Sequence, residues 1–361
     1  MRQNHWLMAA ALSAALTAGA FCASGASLLL VLNKGDNTLA TVDAATLQVK
    51  GRAPSGPDPH EVEASPDGKF AYISNYNQGN GAASTISVVD LVGQKALTPI
   101  DLGALSRPHG LTMAGGKLYF TAEGAKVVGR YDPASAKIDW VIGTGQNRTH
   151  MVIVSKDMKE VFTSNVASAS ICVLDQVAAA GRGGPPPGGR GPGGPPPGGP
   201  GRGPGGGGRG APDWNITVIP VGRGAEGFDL SPDGKEMWAA NAQDASVSII
   251  DVAAKKVVQT VPVAFRAANR LKFTPDGKRV LISDLAGNDL FVLDAASRAQ
   301  VTKIDLGGGA AGILMDPDGS RAFVSVGSKN SVAVVDLKTL TVTKRVEAGP
   351  GPDGLAWAEV H

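Results

Sequence analysis

Short runs in which apolar and polar residues alternate cover most of the chain. Valine, isoleucine and phenylalanine alternate with small or polar residues, which is the pattern of strands with buried and exposed faces. Clear examples are FAYISN, STISVVD, EMWAAN, SVSIID and KVVQTVPV. Gly, Asp and Asn separate the runs, as turns require, and no amphipathic helix of useful length occurs between them. The pattern therefore predicts an all-β fold.

The runs recur with a period in the low forties. A Pro-Asp-Gly turn begins at Pro66, Pro232, Pro275 and Pro317, and the last three prolines lie 43 and 42 residues apart. Each repeat supplies four strands, of which the first ends at this turn. Four-stranded units repeated around an axis form a β-propeller, which leaves only short, protected edges.

Seven repeats fit residues 27–361 once a glycine-rich tract is set aside. The N-terminal run SLLLVLN has the features of a second strand, and the C-terminal run GLAWAEV those of a first strand without its partners. The two runs together would complete one blade and leave no open seam. We therefore expect a seven-bladed β-propeller of four-stranded antiparallel blades, closed by pairing of the N- and C-terminal strands.

The repeats resemble the YVTN-repeat family of β-propellers. FAYISNY with STISVVD, and the run EMWAANAQDASVSIIDVAAKKVVQTVPV, follow that family's order of YVTN, SNTVSVID, TIPVG and SPDGK, and no repeat ends in the Trp-Asp of WD40 repeats. The resemblance covers the chain after residue 26 apart from the tract, and it places the chain in the wider WD40/YVTN-like superfamily. It implies an exported propeller but not a single function, because members include binding proteins, lactonase-like enzymes and relatives of haem or copper enzymes.

The first 26 residues are typical of a secretory signal peptide. Arg2 precedes an alanine-rich apolar run, and small residues lead to a predicted cleavage after Ala26. A bulky Phe21 before Cys22 argues against a lipoprotein, so we expect a periplasmic or secreted protein. No other run is long and apolar enough for a transmembrane segment. Only Cys172 then remains, which excludes an internal disulfide.

Net charge argues against a globally basic nucleic-acid binder. The chain has 34 Lys and Arg against 32 Asp and Glu, and four of the arginines lie in residues 181–210, where every residue is Gly, Pro or Arg. We expect residues 178–212 to be a disordered insertion between the third and fourth strands of one blade, on the face opposite the channel mouth. The alternative roles for this insertion are to bind a polyanion or to be bound by a proline-recognising module. No specific nucleic-acid partner is expected.

One position per repeat lies six residues before the turn, near the start of the first strand and the mouth of the central channel. In chain order these residues are His60, His109, His150, Glu226, Asn269, Ala311 and Asp353. The three histidines and Glu226 form a candidate metal site for Zn, Cu or Fe. There are two alternatives to a metal site. In the first, a histidine at this position acts as a general base. In the second, it only bonds neighbouring loops and recurs because duplicated repeats inherit the same residue.

Further polar residues near the mouth suit a small anionic ligand. Arg107 and Arg148 lie two residues before their histidines, and guanidinium groups bind carboxylates and phosphates well. The predicted ligand-binding residues are Arg107, Arg148, Asn75, Tyr76, Asn269 and Asp353. The long loop Tyr76–Ser84 is the loop that we expect to reach the ligand.

A second set of equivalent residues ends the second strand of each repeat. Its members are Asn33, Asn75, Glu123, Asn165, Asn241 and Asp284, with Val326 as the exception. Asparagine and aspartate bond the local backbone at turns, so we interpret this set as mainly structural.

Three functions stay open on the sequence. The first is a monomeric binding scaffold whose top face and channel mouth hold a protein or a small anionic ligand. The second, from the resemblance, is a lactonase-like hydrolase in which His60 or His109 activates water. The third is a redox protein that binds copper, iron or non-covalent haem through the same histidines. The sequence contains no P-loop, Gly-x-Ser-x-Gly or Cys-x-x-Cys-His motif, so no catalytic residue is assigned.

Overall fold

The computed structural model describes residues 26–78, 81–177 and 213–360. These residues form antiparallel strands β1 to β29 and two single 3-10 turns, Val166–Ser168 and Gly327–Lys329. None of the helical segments in this described part is long and apolar enough to cross a membrane. The strands pair into seven separate sheets, which are the seven blades of a propeller.

Blades 1 to 4 contain the following strands. Blade 1 has β1 (Ala26–Asn33), β2 (Thr38–Asp43), β3 (Val49–Pro54) and β29 (Pro352–Val360). Blade 2 has β4 (Pro59–Ala64), β5 (Phe70–Gln78), β6 (Gly81–Asp90), β7 (Lys95–Ala96) and β8 (Ile100–Asp101). Blade 3 has β9 (Pro108–Ala114), β10 (Lys117–Ala122), β11 (Val127–Asp132) and β12 (Lys137–Gly143). Blade 4 has β13 (Thr149–Val154), β14 (Glu160–Asn165), β15 (Ser170–Val177) and β16 (Asp213–Pro220).

Blades 5 to 7 are regular four-stranded sheets. Blade 5 has β17 (Ala225–Leu230), β18 (Glu236–Asn241), β19 (Ser246–Asp251) and β20 (Lys256–Pro262). Blade 6 has β21 (Ala268–Phe273), β22 (Arg279–Asp284), β23 (Asp289–Asp294) and β24 (Gln300–Asp305). Blade 7 has β25 (Ala310–Met315), β26 (Arg321–Val326), β27 (Ser331–Asp336) and β28 (Thr341–Val346).

The predicted circular closure is confirmed. The innermost strands β4, β9, β13, β17, β21, β25 and β29 contact one another in a closed ring. Strand β29 also pairs with β1, with Leu28 opposite Ala358 and Leu30 opposite Ala356. The C-terminal strand is thus the innermost strand of the blade that the N-terminal strand begins.

The hydrophobic core lies between neighbouring blades. Leu28 and Leu30 of β1 pack toward blade 2, whereas Leu29 and Val31 pack against Phe323 of blade 7. Both faces of β1 are therefore buried, which explains why SLLLVLN is a continuous apolar run rather than an alternating one.

The Pro-Asp-Gly turns connect first and second strands by a repeated set of hydrogen bonds. In blade 2, the hydroxyl of Ser65 donates to Asp67 Oδ1 at 2.6 Å and accepts from the Phe70 amide at 3.0 Å. Gly68 has φ +67°, a left-handed conformation in which glycine has no side-chain clash. The turn signature that set the repeat period is thus a side-chain-stabilised turn.

Blade 2 differs from the sequence prediction at two places. The predicted fourth strand KALTPIDLG is split into β7 and β8, because Pro99 has no amide hydrogen for the ladder. In the predicted loop Tyr76–Ser84, the described residues instead extend the paired strands β5 and β6, with Asn77 opposite Ala82 and Gln78 opposite Gly81.

Two sequence predictions concern segments beyond the described residues. The proposed signal peptide covers residues 1–26, of which only Ala26 is described. The insertion 178–212 is also outside the described part, although Val177 of β15 pairs directly with Asp213 of β16. Both stay predictions.

Candidate functional site

The residues predicted at the channel mouth occupy one structural position. Each is the second residue of the innermost strand of its blade: His60, His109, His150, Glu226, Asn269, Ala311 and Asp353. All seven line one cavity of about 500 Å³. A larger groove of about 1160 Å³ lies between blades 2 and 3, but it contains none of these residues. Convergent titratable groups, rather than size, place the candidate site at the mouth.

The three histidine rings lie in a row with tilted planes, 57° apart for His60 and His109 and 32° apart for His109 and His150. The ring centroids of His109 and His150 are 3.7 Å apart, and those of His60 and His109 are 4.7 Å apart. Tyr76 closes the row, with its ring 4.9 Å from His60 and 5.7 Å from His109. This row brings the rings close together, whereas a metal requires ring nitrogens that point to one centre.

His150 lies between two carboxylates. Its Nδ1 is 2.5 Å from Glu123 Oε1, and its Nε2 is 3.1 Å from Glu226 Oε1 in an ion-pair contact without hydrogen-bond alignment. Burial alone would lower the pKa of His150, but the negative charge of Glu226 and the hydrogen bond to Glu123 outweigh it and raise that pKa. Both ring nitrogens therefore face carboxylates, which favours the protonated ring.

Glu123 connects three neighbouring side chains. Its Oε2 accepts a hydrogen bond of 2.5 Å from the Tyr76 hydroxyl and lies 3.6 Å from Arg148 Nε. Burial opposes ionisation, but the bonds and charge of His150 lower the pKa of Glu123. For Glu226, the His150 charge outweighs burial and lowers the pKa to about 2. Burial and the bond to Glu123 raise the pKa of Tyr76 to about 12.

The other two histidines are neutral at pH 7. Burial, followed by the positive charge of Lys34, lowers the pKa of His60 to about 4. The Lys34 ammonium donates to His60 Nε2 at 2.8 Å and also contacts Asp58 and Asp353 at 3.3 and 3.5 Å. Burial and the neighbouring His150 charge lower the pKa of His109 well below its usual value. His109 Nδ1 is buried and has no hydrogen-bond partner among the described residues.

The floor of the cavity is an ion pair that the sequence reasoning missed. Arg270 of blade 6 reaches Glu61 of blade 2 and also bonds the Asn269 carbonyl. Arg270 lines both the mouth cavity and a lower channel cavity of about 290 Å³. The pair thus separates the two cavities.

The sequence did contain a signal for this ion pair. The third position of the innermost strands is glycine in four blades, where strands pass close together. A Cβ at Gly110 would lie 2.5 Å from the His150 carbonyl oxygen, and one at Gly227 would lie 2.6 Å from Arg270 Cα. Charged residues at such a crowded position, Glu61 and Arg270, therefore mark a specific contact.

Most of the predicted ligand-binding residues line the cavity or contact a residue that does. Arg148, Tyr76, Asn269 and Asp353 line the cavity, and the guanidinium of Arg107 lies 5.6 Å above the Tyr76 ring.

Asn75 does not line the cavity, and neither do two arginines of other connections between blades, Arg223 and Arg266. Asn75 is buried, and its amide donates to Thr85 and Ser87 within blade 2. Arg223 pairs with Asp244, and Arg266 only bonds Asp284 through its backbone amide.

The residues that end the second strands differ in whether they bond within their own blade or to the next one. Asn33, Asn165 and Asn241 bond neighbouring strands of their own blades, as the structural interpretation expects. Glu123 is the exception, since it reaches His150 of the next blade. In four blades, the next residue along the chain lines the cavity. These residues are Lys34, Tyr76, Leu285 and Gly327. Tyr76 was predicted, but its equivalence to Lys34, Leu285 and Gly327 was missed because these residues lie in connections whose sequences differ.

The metal hypothesis has no preformed coordination group to support it. In the described residues, no three side chains of His, Cys, Asp or Glu are arranged so that they could hold a metal ion. His60, His109, His150 and Glu226 lie together, but Lys34 bonds one imidazole and two carboxylates contact another. The site therefore favours ionic and hydrogen-bonding chemistry with the groups that are present.

Acidification is expected to destabilise the fold between about pH 6.5 and pH 4. The pKa of His60 is about 4 in the folded state and 6.5 when unperturbed, so the unfolded chain binds the proton first and stability falls as the pH falls. The full shift corresponds to about 3 kcal/mol. His150, whose pKa is raised, contributes stability that is lost only as the pH rises through that pKa.

Urea unfolding at pH 4.5, 5.5 and 7 checks this expectation. His60→Gln keeps a hydrogen-bond acceptor for Lys34 but does not titrate, so its free energy of unfolding should fall less steeply with acid than that of the wild type. Equal slopes for the two proteins would remove His60 as the cause.

Comparison with known proteins identifies the fold but no family. No family model matches the chain, and no curated protein matches it. A candidate 6-phosphogluconolactonase from Bacteroides uniformis has 13% identity and a TM-score of 0.68 over 93% of this chain and 100% of its own. One from Bacteroides fragilis has 15% identity and a TM-score of 0.68 over 94% and 99%. A protein of unknown function from Desulfotomaculum acetoxidans has 11% identity and a TM-score of 0.69 over 92% and 99%.

Proposed function

We propose that this chain is an exported propeller of the YVTN type that binds a compact organic acid in the channel-mouth cavity. The observation that carries the proposal is the cavity of about 500 Å³, in which three histidines lie beside Lys34 and Arg148. Cavities of this size suit small molecules. The export part rests on the signal-like residues 1–26, and the mass of the mature protein recovered from the periplasm or medium tests it.

Arg148 is the cationic group with free hydrogen-bonding capacity that would hold the acid, while the Lys34 ammonium is already engaged by His60, Asp58 and Asp353. The Arg148 side chain is 46% exposed and only 3.6 Å from Glu123, and the Lys34 side chain is 32% exposed. An arginine has five N–H donors, so Arg148 can receive a carboxylate while it keeps its contact with Glu123. Neutral His109, whose Nδ1 has no partner among the described residues, offers a ring nitrogen to a ligand hydroxyl group.

Arg148→Gln is expected to weaken binding of lactate and gluconate about tenfold or more, because a hydrogen bond to a charged group contributes about 1.5–3 kcal/mol. Isothermal titration calorimetry of the wild type and the variant measures the loss. Arg223→Gln is the matched control, since Arg223 lies in a corresponding connection but outside the cavity and is 71% exposed. An equal loss in both variants, or no binding to the wild type, would contradict the proposal.

Hydrolysis of a lactone is the second candidate function. Two observations favour it: both His60 and His109 have pKa values below 6.5 and are neutral, and two proteins with the same fold are candidate 6-phosphogluconolactonases. One imidazole would take a proton from water as the water oxygen adds to the lactone carbonyl carbon. The ring C–O bond then breaks, and the same imidazole returns the proton to the leaving oxygen, which gives a hydroxy acid.

His60→Gln or His109→Gln is expected to lower kcat/KM for lactone opening by about 100-fold or more, the usual contribution of a positioned general base. Ring opening of gluconolactone and of γ-substituted butyrolactones is followed by proton NMR against the spontaneous rate. Arg223→Gln should leave the rate unchanged. A wild-type rate equal to that of buffer alone would exclude hydrolysis but not acid binding.

A further inference from the structure

The cavity has one wall of imidazole and charged groups and an opposite wall in which the apolar residues Leu285, Ala311 and Gly327 lie between the polar residues Asn269, Ser328 and Asp353. Blades 2 to 5 present His60, His109, His150 and Glu226 at the ring position. On the opposite side, blade 7 presents Ala311 at the same position. Blade 7 is also the blade that ends its second strand with an apolar residue, Val326, where the other six have Asn, Asp or Glu. Both polar positions of the repeat are thus apolar in this blade.

A large exposed apolar side chain lies beside Ala311. Leu285, in the connection after β22, lines the cavity and is 52% exposed. A single exposed leucine on a surface needs no explanation. Leu285 is different because its place corresponds to Lys34 and Tyr76 in blades 1 and 2, both of which line the same cavity.

Gly327 leaves space along this wall. A Cβ there would meet only the Pro352 carbonyl oxygen, at an ordinary 3.5 Å, and the backbone of Gly327 is not left-handed. Neither packing nor conformation therefore requires glycine at this position. At neighbouring Gly309, by contrast, a Cβ would lie 2.2 Å from the Leu285 carbonyl oxygen, so packing does require glycine. The open volume at Gly327 is available to a ligand.

We propose that the ligand of this cavity is amphipathic, an organic acid with an alkyl or aryl group that rests against Leu285, Ala311 and the space at Gly327. This inference rests on the proposed function, because Arg148 holds the acid group of the same ligand. A polyhydroxylated acid would leave its hydroxyl groups without partners against these apolar residues, at a cost in free energy. An alkyl group there loses water contact and gains affinity.

A series of 2-hydroxy acids tests the inference directly. Lactate, 2-hydroxybutanoate and 2-hydroxyhexanoate share the same carboxylate and 2-hydroxyl group and differ in alkyl length. Gluconate has six carbons like 2-hydroxyhexanoate but carries further hydroxyl groups. In calorimetric titrations, affinity should rise with each buried methylene, by at most about fourfold. 2-Hydroxyhexanoate should bind at least tenfold more tightly than gluconate.

Two cavity variants and one control locate the effect. Gly327→Leu fills the open volume and should abolish the gain with alkyl length, while lactate binding stays within about twofold. Leu285→Ser should weaken 2-hydroxyhexanoate about fivefold and lactate little. Val301→Ser is the matched control, because Val301 is 50% exposed on the outer strand of blade 6, far from the mouth in the fold.

The outcomes separate the two proposals. If lactate and gluconate bind as tightly as 2-hydroxyhexanoate, and Arg148→Gln weakens all of them, the acid site stands and the amphipathic ligand is excluded. If alkyl length raises affinity equally in the wild type and in Leu285→Ser and Gly327→Leu, the apolar contact lies elsewhere and the inference is wrong. If no acid binds to the wild type, the proposed function fails and this inference fails with it.

Discussion

Glu123→Gln is expected to lower the free energy of unfolding by about 3 kcal/mol at pH 7, within the range for removing one partner of a buried ion pair. The His150 imidazolium and Glu123 are both nearly inaccessible, with side chains 2% and 3% exposed. After substitution, only Glu226 would balance the His150 charge, and the pKa of His150 would fall. The amide oxygen can keep the hydrogen bond from the Tyr76 hydroxyl, but its NH2 group cannot accept from His150 Nδ1, so the variant loses the negative charge together with that hydrogen bond.

Urea unfolding measures the stability loss, and the chemical shift of the His150 ring protons against pH measures the fall in pKa. Asp244→Asn is the matched control: it also converts a carboxylate to an amide within an ion pair, but its partner Arg223 is 71% exposed. Exposed pairs contribute about 1 kcal/mol or less. The charge network would be refuted as a stabilising element if Glu123→Gln cost no more than this control.

The seven-fold architecture could be predicted because its signals are local and repeated. The turn after Ser65 needs a proline, an aspartate acceptor and a left-handed glycine in fixed order, so its sequence recurs wherever the turn recurs. Counting back from such a turn gives the same place on every innermost strand. That count places His60, His109 and His150 at one mouth, where the structure also has them.

The partners of these histidines could not be predicted in the same way. Glu123 occupies the position at which Asn165 and Asn241 bond their own blades, and only its longer carboxylate side chain reaches His150 in the next blade. Whether a side chain bonds within its blade or across to the next depends on distances that the repeat pattern does not contain. Lys34 is a similar case, since its contact with His60 joins two blades.

A chain that ends at Gly351 is expected to lose cooperative folding altogether. The truncation removes β29, which pairs with β1 and contacts both β4 and β25. It also removes Ala356 and Ala358 from the core between blades 1 and 2. β1 would become an edge with unpaired backbone groups, and the ring would open. The lost pairing and burial exceed the total stability of about 5–15 kcal/mol that a domain of ordinary stability has.

Thermal unfolding followed by circular dichroism separates this expectation from a general sensitivity to deletion. The control deletes residues 178–212 and joins Val177 to Asp213 through Asn-Gly, a favoured two-residue hairpin turn. That deletion removes more residues than the C-terminal truncation but no described strand, so its midpoint should stay within a few degrees of the wild type.

A peptide of residues 352–360 added to the truncated chain should restore part of the transition, because closure depends on β29 itself and not on its covalent attachment. A sharp transition for the truncated chain alone would show that six complete blades and an open seam suffice, and the mouth geometry of Lys34 and His60 would then not depend on closure.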